Sequence, residues 1–237
     1  MDFGPSAHDY ARYRQAFPST FFDRVPLRGE VLDLGAGTGA LARGYAQRGA
    51  RVVALDLSLI MLTQAGDLPS RVVARAEACP FRSESFDAIT AGQCWHWFDG
   101  PAVAQECRRL LRPKGTLVIA HFNYLPLPSS VAEASEALIL ARTPDWALAG
   151  IARMEGRWDA HLLGAGLRDL ASFRYEIDVQ YTHEAWRGRM RACNGVLALG
   201  AERAAEYDEE LTRLLEASFP EPLIVRHEVF ALLARAP

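Results

Sequence analysis

The chain has 237 residues, half of them apolar and 23% charged. That balance excludes a disordered polypeptide, and the length suits one α/β domain carrying an inserted cap. Lys and Arg number 26 and Asp and Glu 29, a net charge of −3, so the composition gives no support to a strongly basic nucleic-acid footprint.

In chain order, short apolar runs alternate with helical patterns through the first half. Val31–Leu34 reads as a buried strand running into a Gly-rich turn, and Ala40–Arg48 as a helix that Gly49 stops. Arg51–Leu55 is a second strand ending at Asp56. Ser58 caps a short helix over Leu59–Ala65. Arg71–Ala76 and Ser85–Ala91 are further strands. Asp99 starts a helix over Pro101–Leu111, and Gly115–His121 is a fifth strand. Continuous apolar strands separated by helices predict a parallel sheet covered on both faces, with right-handed crossovers.

Beyond Tyr124 the pattern changes. Leu125-Pro126-Leu127-Pro128 reads as a linker, followed by helical patterns over Val131–Arg142, Trp146–Met154 and Asp159–Leu163. A strand follows at Ser172–Val179. Helices are expected over Ala185–Leu199, capped by Thr182, and over Glu202–Ser218, before a last alternating strand, Glu228–Ala234. The expected fold is a Rossmann-like, doubly wound, mostly parallel sheet with an antiparallel C-terminal edge strand. Residues 1–124 would form the cofactor-binding core, 125–168 an inserted helical cap, and 169–237 the strands and helices that complete the sheet.

The four cysteines, Cys79, Cys94, Cys107 and Cys193, form no CxxC pair and have no histidine at zinc spacing, so no metal constellation stands out. Met1-Asp2-Phe3-Gly4-Pro5 lacks the pattern of a secretory signal, and no apolar run approaches the ~20 residues of a membrane helix. The expected setting is reduced and cytoplasmic, away from a membrane. Lys114 is the only lysine, which leaves almost no scope for Schiff-base chemistry.

The most informative segment is Asp33-Leu34-Gly35-Ala36-Gly37-Thr38-Gly39-Ala40. Glycines between a strand and a helix let backbone touch a nucleotide cofactor. Gly35, Gly37 and Ala40 satisfy a loose dinucleotide pattern, whereas Gly35, Gly37 and Gly39 behind Asp33 fit S-adenosylmethionine. A carboxylate at Asp33 repels a pyrophosphate and favours a sulfonium and an ammonium. Asp56 is expected to accept the ribose hydroxyls of either cofactor.

Those residues resemble a class I S-adenosylmethionine-dependent methyltransferase of the methyltransferase type 11 group, over about residues 8 to 122. Val31–Gly39 is similar to the family's first motif and Val53–Ser58 to its second. Ala76–Phe81, followed by Ser85-Phe86-Asp87, is similar to the third and fourth. The resemblance implies that the turn with Gly35, Ala36, Gly37 and Gly39 holds the cofactor. It also implies that Ala76, Glu77 and Ala78 line the adenine, with apolar contacts from Leu57 and Met61. The segment from Asp9 to Pro18, with Tyr10 and Arg14, and the segment from Gln93 to Asp99 resemble trans-aconitate-methyltransferase-like proteins, although that group usually has a proline at or near Gln15. There the N-terminal segment folds over the cofactor, which implies that Tyr10 and Arg14 contact it, and the match of the segment after the fourth strand implies that Gln93 does too. S-adenosylhomocysteine would be the product.

Methyl transfer from a sulfonium needs mainly positioning and exclusion of water, and a base only when the acceptor still holds its proton. His96, between Trp95 and Trp97, is the candidate catalytic residue; the alternative is a histidine bonded inside an aromatic cluster. Trp146, Met154, Trp158, Ile139 and Leu140 either line an acceptor pocket or are core. Arg142, Arg153 and Arg157 could recognise an acidic acceptor. The basic run Arg187, Arg189, Arg191 is a solvated face unless the fold turns it into the pocket. A small-molecule methyl acceptor is the leading expectation. RNA or protein methylation, an NAD(P)-binding oxidoreductase and a non-catalytic binding module stay open as alternatives.

Overall fold

The apolar runs form seven strands of one sheet among residues 7–68, 70–150 and 154–237, which the computed structural model describes. They are β1 (Glu30–Leu34), β2 (Arg51–Asp56), β3 (Ser70–Val73), β4 (Phe86–Gly92), β5 (Leu111–Tyr124), β6 (Arg168–Tyr181) and β7 (Leu223–Arg235), in the order β3-β2-β1-β4-β5-β7-β6. The first five pair in parallel, and β7 runs antiparallel to both β5 and β6. The C-terminal antiparallel end of the sheet is thus a pair, with β6 outermost.

In chain order the helices are α1 (Ala7–Tyr13), α2 (Ser19–Arg24), α3 (Ala40–Ala46), α4 (Leu59–Thr63), α5 (Gly100–Leu110), α6 (Val131–Leu140), α7 (Asp159–Gly164), α8 (His183–Arg191), α9 (Asn194–Leu197) and α10 (Ala201–Ser218). Side chains alternate across each strand. Val31, Val118 and Val229 therefore face a core with Phe21, Phe22 and Tyr45 from α2 and α3. Leu32, Ile119 and Phe230 face the opposite core, with Val103 of α5 and Leu162 of α7. Three expected caps form: the side chains of Ser58, Asp99 and Thr182 accept from the backbone N–H of Met61, Ala102 and Ala185.

A third core lies between α6, α8, α9 and α10, around Trp186, Met190, Tyr207 and Leu211. Trp186 Nε1 donates to the Ser135 hydroxyl at 2.9 Å, and the Tyr207 hydroxyl donates to the Ser135 carbonyl at 3.3 Å. These bonds tie three helices of this layer together. The layer draws on two stretches of chain, one after β5 and one after β6, whereas α7 packs on α5 against the sheet.

Two expected helices differ. Residues 141–150 form turns in place of a helix from Trp146, and within them Gly150 takes a positive φ of 81°, outside the helical region; residues 151–153 lie outside the described residues. The helix expected over Ala185–Leu199 divides into α8 and α9 at Ala192-Cys193, just before the weak helix formers Asn194 and Gly195. Among the described residues no helix is long and apolar enough to cross a membrane.

Candidate active site

The strand order reverses between β1 and β4, and an open α/β sheet places its ligand crevice at such a point, beyond the carboxyl ends of the strands. A cavity of about 880 Å³ lies there, floored by the ends of β2, β4 and β5 and roofed by residues of α1, α6 and α8. Its size is in the upper part of the range for small-molecule sites.

The turn after β1 forms one wall. Gly37 has φ 54°, and a Cβ added there would meet only the Met61 Cε, at 3.4 Å, so its surface faces open cavity. Gly39 has φ 79° and caps α3, and a Cβ on it would press on Leu68, Ala65 and Arg43. It serves packing and does not line the cavity. Three of the turn's amides are spent inside the protein. Ala36 N–H donates to the Leu55 carbonyl at 3.0 Å, Gly39 N–H to the Ala36 carbonyl at 2.8 Å, and Gly37 N–H to Asp56 Oδ2 at 2.8 Å. Asp56 Oδ1 accepts from Ser58 N–H at 2.8 Å. The Asp56 carboxylate thus locks two loops while lining the cavity.

Asp33, expected to face a bound cation, does not reach the main cavity. It is 2% exposed and touches only a narrow side cavity next to the turn. Its Oδ1 accepts from the Thr90 hydroxyl at 2.6 Å and its Oδ2 from Ala42 N–H at 3.1 Å. Burial pushes its pKa up to about 7. Asp33 therefore fastens α3 to the sheet.

Of the other residues expected at the cofactor, Gly35, Leu57, Met61, Ala76, Glu77 and Gln93 line the main cavity, as do Tyr10 and Arg14. Ala36 lines only the side cavity. Ala78 is absent from both linings, because β3 stops at Val73 and the following turn presents Ala76 and Glu77 in its place. Glu77 accepts from Asp99 N–H at 3.3 Å and pairs with Arg75 at 3.5 Å. Gln93 takes a positive φ of 64° and donates its side-chain amide to the Phe122 carbonyl. Helix α1 reaches the site because it docks on α8: the Tyr13 hydroxyl donates to Glu184 at 2.9 Å, and Asp9 pairs with Arg191 at 2.7 Å. That docking leaves the Arg14 guanidinium over the Tyr10 ring at 4.8 Å, on the cavity wall.

The opposite wall carries His96, which follows β4 on a single 3-10 turn with Trp97 beside it; Trp95 is buried beneath and does not line the cavity. His96 Nδ1 is buried without a hydrogen-bond partner, and so is Nε2 of His121, 5.8 Å away between ring centroids. Burial, with Arg14 and Arg157 nearby, lowers His96 to about 4. Burial, with His96 beside it, lowers His121 to about 3. Both imidazoles are neutral at pH 7. His121 ends the strand that the sequence places at Gly115–His121, a position at the carboxyl end of a central strand that was its only signal; Trp158 stacks on it from the core.

Among the arginines, Arg157 lines the cavity, Arg142 pairs with Glu210 away from it, and Arg153 lies outside the described residues. Arg187 and Arg191 are held outside by Asp208, Glu184 and Asp9, whereas Arg189 enters the cavity. Trp146, Met154, Tyr124, Leu125 and Leu148 complete the half of the site under the cap. Ile139 is core of the cap layer.

A methyltransferase-domain profile matches residues 32–119. An uncharacterized methyltransferase of Mycobacterium tuberculosis is 38% identical over 122 residues, 49% of this chain and 50% of that one. The chain thus spans about half the length of the first curated relatives it matches. The ubiquinone biosynthesis O-methyltransferase of Xanthomonas oryzae pv. oryzae is 30% identical over 178 residues, 71% of this chain and 72% of that one. Among solved structures, a protein of Anaeromyxobacter dehalogenans with a provisional assignment as a type II methyltransferase aligns at TM-score 0.68 and 22% identity, over 94% of this chain and 97% of that one. Phosphoethanolamine N-methyltransferase 2 of Haemonchus contortus, solved with phosphomonomethylethanolamine and S-adenosylhomocysteine, aligns at TM-score 0.50 and 19% identity, over 98% of this chain and 52% of that one.

Proposed function

The chain belongs to the methyltransferase family, and from that premise we propose that it is an S-adenosylmethionine-dependent enzyme that methylates a small organic molecule held beneath the helical cap. The observation that carries this reading is the use of the first turn. A dinucleotide needs free turn amides to cradle its pyrophosphate. Here the N–H groups of Ala36, Gly37 and Gly39 are already donated, one of them to the Asp56 carboxylate at the cavity edge. A phosphate-free nucleoside asks nothing further of those three amides, whereas a pyrophosphate held by them would have to break their present bonds.

When bound, S-adenosylmethionine supplies a methyl group already activated on a sulfonium, and it leaves as S-adenosylhomocysteine. The residues around the cavity bind and orient. Asp56 keeps lone pairs free toward the cavity for ribose hydroxyls, since each oxygen uses only one on a backbone N–H. Leu57, Met61, Ala76 and Glu77 flank the purine. Arg14, steadied over Tyr10, takes the amino-acid carboxylate. Trp97, Trp146 and Met154 exclude water from the transfer. His96, neutral at pH 7, takes the proton when the acceptor is a hydroxyl or phenol. The docking of α1 across the cavity supports a place near the trans-aconitate-methyltransferase-like proteins. In this reading 1–124 bind the donor, 125–168 begin the cap and 169–237 complete the sheet. Four buried, free cysteines suit a reducing cytoplasm.

The test is a methyl-transfer screen with labelled S-adenosylmethionine against mixed small organic acids, phenols and amines. Label is expected in an extractable small molecule, with matching formation of S-adenosylhomocysteine. Label found only in protein or RNA would overturn the small-molecule reading.

A further inference from the structure

Arg187, Arg189 and Arg191 share α8 but not an environment. Arg187 and Arg191 lie one helical turn apart on the outer face, bonded to Asp208, Glu184 and Asp9. Arg189, between them, points the other way. It is 6% exposed, lines the cavity, and lies over the Tyr124 ring at 5.1 Å. Its Nη1 is buried with no hydrogen-bond partner, and no described carboxylate pairs with it. Glu136 is a carboxylate near enough to interact with it electrostatically, but its Oε1 accepts from the Tyr124 hydroxyl at 3.0 Å and its Oε2 from Gly150 N–H at 2.8 Å. An arginine cannot shed its proton to escape such a site, and an unpaired buried charge is costly. Independently, Arg157 lines the same cavity and pairs with no described carboxylate.

We infer that Arg189 is the anchor for an oxyanion on the methyl acceptor, so that the substrate is a molecule with an anionic head and an apolar body. The body has its counterpart in Leu125, Trp146, Leu148 and Met154, which line the same half of the cavity. The planar guanidinium fork suits a carboxylate or a phosphate equally. This assignment of substrate class rests on the methyltransferase reading, whereas the oxyanion site itself rests on Arg189 alone.

The test uses the full chain, saturated with S-adenosylhomocysteine and titrated in a calorimeter with phenylacetate, phenyl phosphate and hexanoate, and with the neutral phenylacetamide and hexanamide. At least one oxyanion is expected to bind about tenfold or more tighter than its neutral partner, the size of one charge-assisted hydrogen bond. Whether phenylacetate or phenyl phosphate wins separates carboxylate from phosphate acceptors. In Arg189→Met the preference is expected to fall below about threefold, in Arg189→Lys to be intermediate, and in Arg187→Gln to persist. Equal or undetectable binding across the wild-type series overturns the assignment, and so does a preference that survives Arg189→Met. The wild-type comparison stands even if that variant fails to fold. Failure of S-adenosylhomocysteine to bind counts against the cofactor reading instead. The same series on unloaded protein then tests Arg189 by itself, with the same preference expected.

Discussion

Replacing Asp56 by asparagine separates the two tasks of that side chain. In the wild type each carboxylate oxygen accepts one backbone N–H at 2.8 Å, from Gly37 and from Ser58. Asparagine has one acceptor oxygen, so one of the two amides must face an NH₂ group. A donor left unmatched costs about 1–3 kcal/mol, and Asp56 borders a cavity where water can replace part of the loss. The expected destabilisation is therefore near the lower end, about 1–2 kcal/mol, or a fall in Tm of roughly 2–8 °C for a chain of this size. Binding loses more. A charge-assisted bond to a ribose hydroxyl contributes about 1.5–3 kcal/mol, so the Kd for S-adenosylhomocysteine should rise about 10- to 100-fold. Calorimetry and thermal melts on one preparation read both effects. A lowered Tm with a Kd within twofold of wild type would show that Asp56 serves the turn alone and would refute its role at the nucleoside.

Arg14→Ala should weaken S-adenosylhomocysteine binding about tenfold, and an unchanged Kd would leave that arginine as a packing residue. With a hydroxyl or phenol acceptor, His96→Ala should lower turnover by about 10²- to 10⁴-fold, and wild-type turnover should stay level from neutral pH down to about 5 and fall as the pH drops through about 4, where His96 gains its proton. Unchanged turnover in that variant would remove the base role. Asp33 gives a stability signature of defined sign. Its folded pKa of about 7 lies above the unfolded value of 3.8, so the folded state holds the extra proton between them, and stability is lost as the pH rises from about 4 to 7. Denaturant titrations should show that decline, worth a few kcal/mol in order of magnitude, flattened in Asp33→Asn; parallel pH profiles for the two proteins would contradict it.

The parts of the site that local chemistry dictates were legible in the sequence. A strand ending in glycines, an acid at the end of the next strand, and Ser58 and Asp99 before helices each carry their structural meaning within a few residues, and all four form as expected. What the sequence did not reveal depends on contacts between distant segments. Arg189 differs from Arg187 and Arg191 only in the helix face it occupies, and that face was fixed by α1 and α10 docking on α8. His121 gains its place from β7, where it pairs with Phe230, and from Trp158, both far away in the chain. Asp33 was expected to act through its charge, yet its burial under α3, against which the Thr90 hydroxyl donates to its Oδ1, decides its behaviour. The helix expected from Trp146 rested on apolar spacing that passed through Gly150, whose positive φ of 81° lies outside the helical region.

The most direct measurement is a pair of titrations of the wild-type protein, one with S-adenosylmethionine and one with an oxidised nicotinamide dinucleotide. Saturable one-to-one binding of the sulfonium compound, with no heat from the dinucleotide, is the expected result. Binding of the dinucleotide alone would mean that the amides of Ala36, Gly37 and Gly39 are released to hold a pyrophosphate, and would contradict the reading of this cavity as a methyl-donor site.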